Sequence, residues 1–436
     1  MAWLVCLSLA HWGGDDAIVL KEALAAGATF QIKTREELTG ALTLPADTAG
    51  GPPRKIPITA QRSVHFGERV LAVSGDGAPA KTLRWYLQAD LDRKVGPQSE
   101  EQRLRLPARR IVLWRDRDRW DAFSPEVPLL LPEIQQALAD VSLPALGGLL
   151  PAHPVRVQAT WTARADAVRA LTGLLEIKEG SLTCRFQEIQ NKGDTRLARV
   201  SFAGTLLGTT ADGPNRQKLD GYFLFDLNAQ QIGYLYLMGT SWLLNEKGET
   251  AGELQGRFIF TRTNEPTPEL ADAALTGAAL EPTPHATRVQ FAEPALGVEF
   301  AYPRTWRVRQ ADARQIILDA PDGVGLMMTL EPLSQWPSLE PFRREALAAL
   351  AKQKLTPTRQ EAAARLRGEP APIERFGLEC RQGQEMLWLD YYLARHRAGG
   401  AILAVRGPLR LAAATRAVTD QLVLSLRLDP PTPGKE

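Results

Sequence analysis

Five histidines, three cysteines and one run of alternating Arg and Asp are the residues of this chain whose types could do chemistry. Their spacing limits what that chemistry can be. His11, His65, His153, His285 and His396 are scattered along the sequence. None stands at a metal-ligand distance from another His or from a Cys, so no metal site is expected. His396 follows Tyr391 and Tyr392 and precedes a Gly-Gly pair, the context of a solvated strand end rather than of a proton carrier. Cys6 follows Trp3-Leu4-Val5, which lacks the small residue that lipid attachment needs. Cys184 and Cys380 fall in different predicted domains, which leaves no disulfide framework.

The run Arg115-Asp116-Arg117-Asp118-Arg119 could be taken for the Asp-x-Asp of a sugar-transfer enzyme. No nucleotide-binding βαβ unit accompanies it, however, and a strand accounts for it with less. Period-two alternation puts three Arg on one face and two Asp on the other, where cross-strand ion pairs satisfy them. Ser181, Ser201 and Ser241 lie in strand contexts without a G-x-S-x-G elbow. The stretch Gly204–Gly213 lacks the Gly-Lys-Ser/Thr ending of a phosphate loop. The chain is therefore expected not to be an enzyme and to need no cofactor. A hydrolase without a recognisable motif is the remote alternative.

Aromatic residues carry the remaining signal. Tyr222, Phe223, Phe225, Tyr234, Tyr236 and Trp242 fall on consecutive predicted strands, and such rows usually fill the core of a sheet. The alternative is the wall of a hydrophobic-ligand cavity, for which Tyr222, Phe225, Tyr234, Tyr236 and Trp242 are the candidate residues.

The elements that would position these residues are mostly strands. Leu174 to Gln190, Thr195 to Thr209, Lys218 to Asp226, Ile232 to Leu244 and Gly252 to Arg262 are separated by turn residues such as Asn191-Lys192-Gly193-Asp194 and Glu246-Lys247-Gly248. They form a meander of the kind that makes a curved antiparallel sheet. Earlier strands are expected near residues 28–33, 56–66, 69–74, 82–91 and 104–120. Pro132 to Val141 and Thr162 to Leu171 have helical spacing and could cover the sheet. The β-rich domain thus spans 17–263, in two halves, 17–125 and 155–263, joined by a helical connector. Residues 264–288, rich in Pro, Thr and Ala, read as a linker, and 429–436 as a loose tail.

After the linker the pattern changes. A strand from Gly297 breaks at Pro303, a hairpin turns at Pro321-Asp322-Gly323, and Pro341 to Leu355 is helical. Three strands, Glu374 to Arg381, Glu385 to Arg395 and Ala401 to Arg406, precede a last helix from Leu409. At 436 residues two or three cored domains are expected. The 52 Lys and Arg nearly balance 50 Asp and Glu, for a net charge of +2. Arg103, Arg105, Arg109 and Arg110 are soon followed by Asp116, Asp118 and Asp121, so nucleic acid is not expected as a partner.

The phrase Gly297-Val298-Glu299-Phe300-Ala301-Tyr302-Pro303 with Trp306 resembles the opening of the PsbP/Mog1-like domain, a resemblance that covers 289–428, about a third of the chain. It implies an α/β/α sandwich with a docking role and no catalytic residue. Trp120 to Leu129 is similar to a segment of uncharacterised exported proteins of planctomycete-type bacteria, and the meander resembles, in strand number and curvature, the half-barrels of lipoprotein carriers. The fold class expected is α+β: a curved sheet or half-barrel, then a smaller α/β/α sandwich.

Met1 to Ala10 reads as the end of a signal peptide, with Ser8-Leu9-Ala10 fitting the cleavage rule and 1–16 as its truncated remnant. An exported protein, periplasmic or secreted, is expected. It would be cytoplasmic if that segment is no leader, and peripheral to a membrane at most. The expected function is non-catalytic binding or docking of a protein partner. The alternative is a carrier or sensor of a hydrophobic small molecule held in a half-barrel cavity.

Overall fold

The computed structural model describes residues 17–22, 24–44, 53–75, 78–117, 119–140, 146–312, 314–368, 371–396 and 399–428. The expected leader, Cys6, His11, Asp118 and the tail lie outside them. The chain divides into two compact units, the first comprising residues up to 122 and from 136 to 278, the second residues 123–135 and from 279 on.

The first unit is built on one twelve-stranded sheet. Its strands are β1 (Thr29–Leu44), β2 (Arg54–Val73), β3 (Pro79–Val95), β4 (Gln98–Arg103), β5 (Arg110–Asp116), β6 (Arg119–Phe123), β8 (Thr160–Thr162), β9 (Glu176–Lys192), β10 (Thr195–Thr210), β11 (Gly213–Asp226), β12 (Gln231–Leu244) and β13 (Thr250–Thr263). The order is β6-β5-β3-β2-β1-β13-β12-β11-β10-β9-β8, with β4 beside β3. From β5 across to β8, and between β3 and β4, every pairing is antiparallel. What joins the earlier and later strands is β1 against β13, in register from Gln31 opposite Thr263 to Leu42 opposite Gly252.

Period-two alternation explains why this sheet has two unlike faces. On one face Phe30, Ile32, Val64, Phe66, Phe202, Phe223, Phe225, Leu235 and Phe260 are buried. The opposite face carries the other half of each alternation, with polar residues such as Asp220, Arg216 and Arg199 beside the rings of Tyr222, Tyr234 and Tyr236. Helix Ala165–Thr172 belongs to the buried side, and Ala167 and Val168 are its buried residues. Gly173 ends that helix at φ +68°, a left-handed conformation that glycine adopts without strain, and its N–H bonds to the Arg169 carbonyl.

The end of the helix Leu131–Ala139 is held on the same face by a chain of buried polar groups. The Arg84 Nε donates to Glu68 at 2.6 Å and its Nη1 donates to the Ala137 carbonyl at 3.0 Å. The Tyr86 hydroxyl donates to Asp140 at 2.7 Å, and Asp140 also takes an ion pair from Arg62. The Arg84 guanidinium lies 4.4 Å from the Phe66 ring centroid. Burial alone would lower the Arg84 pKa, but Glu68, Tyr86 and Asp140 outweigh it and hold the guanidinium above its ordinary value. Burial, and then the charge of Asp140, pushes the Tyr86 hydroxyl up.

Two stretches of the first unit differ from the expectations. The Arg115–Arg119 run is no continuous strand with alternating faces: Arg117 has φ +56°, and the chain turns there between β5 and β6. The start of the Pro/Thr/Ala segment is fastened rather than loose. Leu270 is fully buried, and Arg69 donates to its carbonyl at 2.7 Å and to Asp272 at 2.5 Å.

The second unit corrects the expected fold class. Its residues do not make a small α/β/α sandwich. They form two sheets, so the whole chain is mostly antiparallel sheet in three sheets. One has eight strands: β16 (Arg307–Ala311), β17 (Gln315–Asp319), β18 (Gly325–Pro332), β23 (Gly399–Pro408), β22 (Glu385–His396), β21 (Ile373–Gln382) and β19 (Thr356–Gln360), with β20 (Ala364–Arg367) beside β21. The other runs β24 (Arg427–Leu428), β15 (Val298–Tyr302), β14 (Val289–Glu293) and β7 (Leu129–Leu130), with β14 and β7 parallel. Edge strands such as β16 and β19 are exposed and polar. With no apolar alternation to mark them they read as loops, and the strand content was underestimated.

Each face of β22 meets one helix. Leu387, Leu389 and Leu393 pack with Ala346 and Leu350 of helix Leu339–Lys352. On the other side Asp390, fully buried, takes two bonds from Arg416 of helix Ala412–Ser425, at 2.7 and 2.9 Å. Burial pushes the Asp390 carboxyl above the ordinary carboxylate range, against the pull of Arg416. No helix among the described residues is long and apolar enough to cross a membrane.

The Arg84 network yields the first test. Arg84→Ala would leave Glu68 buried and unpaired, and is expected to cost about 3–5 kcal/mol in chemical denaturation, with Glu68→Leu/Arg84→Met recovering most of it. A single variant as stable as the parent would show that the network does not hold the helix.

Candidate functional site

A cavity of about 560 Å³, partly open to solvent, lies on the buried face of the first unit's sheet. Its volume falls within the roughly 300–1,000 Å³ of small-molecule sites. The sheet supplies the floor, and residues from the two helices and their flanks, among them Leu138, Asp140, Leu146, Ala170 and Leu171, supply the rest.

The strand register makes the floor. Leu38, Gly256, Gly239 and Leu219 stand in one row across β1, β13, β12 and β11. A Cβ on Gly239 would come 2.8 Å from Leu219 Cδ2, and one on Gly256 would come 3.3 Å from Leu38 Cδ1. The two glycines thus let the flanking leucines lean inward, and they leave a recess where side chains would otherwise stand. The neighbouring rows add Leu254 with Ser241 and Gln217 on one side, and Phe258 with Leu237 on the other.

Polar groups at the cavity are mostly committed to one another. Arg62 is paired with Asp140 and donates to the Gln136 carbonyl at 3.1 Å. The Gln217 amide donates to the Thr172 carbonyl at 3.0 Å, and the Ser241 hydroxyl to Asn215 at 3.0 Å. Arg257 and Glu37, at the border, are 2.5 Å apart. An apolar recess with few polar groups, most of them satisfied, can hold an uncharged apolar body by burial alone.

The aromatic candidates lie elsewhere, and none of the five lines this cavity. Phe225 is fully buried on the cavity side of the sheet, among core residues. Tyr222, Tyr234 and Tyr236 cluster on the opposite face, each second ring 5.8 Å from Tyr222. Arg199 sits 4.0 Å from the Tyr222 centroid. Burial, then a hydrogen bond with Tyr222, raises the Tyr234 pKa. Trp242, also on the outer face, stacks with Arg216 at 4.7 Å and donates its indole N–H to Glu253 at 3.2 Å.

The sequence reading followed aromatic rows and so passed over the leucines and the Gly239–Gly256 pair. Glycines inside strands were the signal that could have found them.

The other candidates are also dispersed. His65 on β2 is within 3.0 Å of the Gln31 amide oxygen, and burial, then Lys33, lowers its pKa. Cys184 and Cys380 are free and buried, and burial pushes the Cys184 thiol up to about 12. No group of three or more His, Cys, Asp and Glu suited to a metal ion occurs among the described residues.

No protein-family model matches the chain. No curated protein matches it either. Among solved structures it is similar to cyanobacterial PsbP from Synechocystis sp. PCC 6803, at 11% identity and a TM-score of 0.27, over 33% of this chain and 92% of that one. It is similar to the Ran-binding protein Mog1p of Saccharomyces cerevisiae, at 9% identity and a TM-score of 0.24, over 32% of this chain and 95% of that one. It is also similar to lipovitellin, at 9% identity and a TM-score of 0.30, over 57% of this chain and only 26% of that one. The first two carry the names of the fold type that Gly297–Trp306 resembles. At these scores none of the three bears on activity, and nothing matched supports the likeness to planctomycete-type proteins.

The two faces can be told apart by substitution. Ala170→Trp, on the exposed side of the helix at the cavity, is expected to weaken uptake of a polarity-sensitive apolar dye, and Tyr234→Ala on the outer face to leave it unchanged. The reverse pattern would place the dye on the tyrosines.

Proposed function

We propose that this chain is a non-catalytic binding protein whose first unit holds one apolar small molecule between its large sheet and the helices on that sheet. One observation carries the reading: a cavity of about 560 Å³ floored by Leu219, Leu237, Leu254 and Phe258 with a glycine pair at its centre. Native interiors are packed nearly as tightly as organic crystals, so an unfilled space of this size needs an occupant or open access to water. The mechanism is burial, with no bond made or broken. Covering the apolar floor removes it from water at about 25 cal/mol per Å².

The rest of the cavity suits this role. Both helices that bound it are held at defined points, by Arg84 to Ala137 and by Gln217 to Thr172.

Native mass spectrometry of the chain purified without detergent, followed by solvent extraction, tests the reading. A stoichiometric adduct of lipid size, lost on extraction, is expected. A bare mass, with no uptake of an added apolar dye, would remove it in favour of docking to a protein partner.

A further inference from the structure

The charges at the cavity single out the polar end of its occupant, an inference that rests on the binding role proposed above. Glu36 stands on the cavity face of β1, in register between Arg62 of β2 and Phe258 of β13. It lines the cavity and its side chain is exposed to solvent. Arg62 stands directly opposite it on β2, but Arg62 is engaged by the Asp140 carboxylate and the Gln136 carbonyl. Glu37 and Arg257 answer one another. Among the described residues Glu36 alone of the five charged groups lining the cavity has no ion pair or hydrogen bond.

While the cavity is open, water satisfies that carboxylate at no cost. A molecule that fills the recess over Phe258 and Leu237 must strip this water away. A carboxylate so desolvated is costly unless the incoming molecule supplies a cation or a strong donor. A ligand with its own carboxylate would meet Glu36 with like charge and find Arg62 already neutralised.

We infer that the cavity takes apolar molecules bearing a protonated amine and discriminates against fatty-acid-like molecules, with Glu36 as the residue that sets the preference. An alkylammonium keeps its charge at neutral pH, as a Lys side chain does. Its tail lies along the leucine and glycine row, and its head faces Glu36.

Displacement of an apolar fluorescent dye from the full chain by n-decylamine and by decanoate, at neutral pH and below their micelle-forming concentrations, tests the inference. The amine is expected to bind tighter than the acid by about tenfold or more, as one charge-assisted hydrogen bond allows. Glu36→Gln, an exposed and nearly isosteric change, is expected to erase most of that preference, read as the ratio of amine to acid affinity on the same variant. Equal binding of amine and acid, or a preference untouched by Glu36→Gln, would overturn the inference and leave the binding role standing. A chain that takes up neither the dye nor either probe would instead remove the binding role itself.

Discussion

A buried chain of charges, Glu68 to Arg84 and Asp140 to Arg62 with Tyr86 between them, is the contact on which the arrangement of the first unit depends. Charged side chains are rarely buried to this degree, and when they are, each must be paired or the structure is penalised. Here the pairing runs from β2 and β3 to the end of a helix, so the same bonds that satisfy the charges also fix where the helix can sit. Asp140 closes the chain and at the same time lines the cavity. The position of the cavity wall is therefore a consequence of electrostatic satisfaction in the core beside it.

The floor follows from a different constraint, strand register. Because side chains alternate, one row of the sheet collects Leu38, Gly256, Gly239 and Leu219 on one face and leaves the opposite face to tyrosine, arginine and tryptophan. A slip of one residue between β12 and β13 would exchange these sets, turning the tyrosines inward and the leucines out. The cation–π stacks of Arg199 on Tyr222 and Arg216 on Trp242 suit the outer face, where long side chains keep their charge in water and lay the stem on a ring.

Much of the first unit was legible because its strands are long and regularly punctuated: Thr195 to Thr209 was expected where β10 runs from Thr195 to Thr210, and the two helices lie within a few residues of their expected places. The pairing of β1 with β13 was not legible, since register between segments more than 200 residues apart leaves no local trace. The second unit was misread in class because β16, β19 and β20 are short and polar, and such edge strands lack the alternation that marks a half-buried one. The cavity escapes a reading of the sequence for a related reason. Aromatic residues stand out in a sequence, whereas the cavity is made by small residues and leucines, whose spacing is that of any core.

A recess of this kind, with apolar floor, satisfied polar neighbours and one free carboxylate at its border, is what a binding site needs and more than a packed core requires. A crystal of the full chain soaked with a bromine-tagged alkane tests this most directly, through the anomalous signal of the bromine. Ordered bromine beside Leu219, Leu237 and Leu254 is the expected result. Bromine absent from the recess while it binds at the outer tyrosines, or no ordered bromine at all, would contradict the central claim.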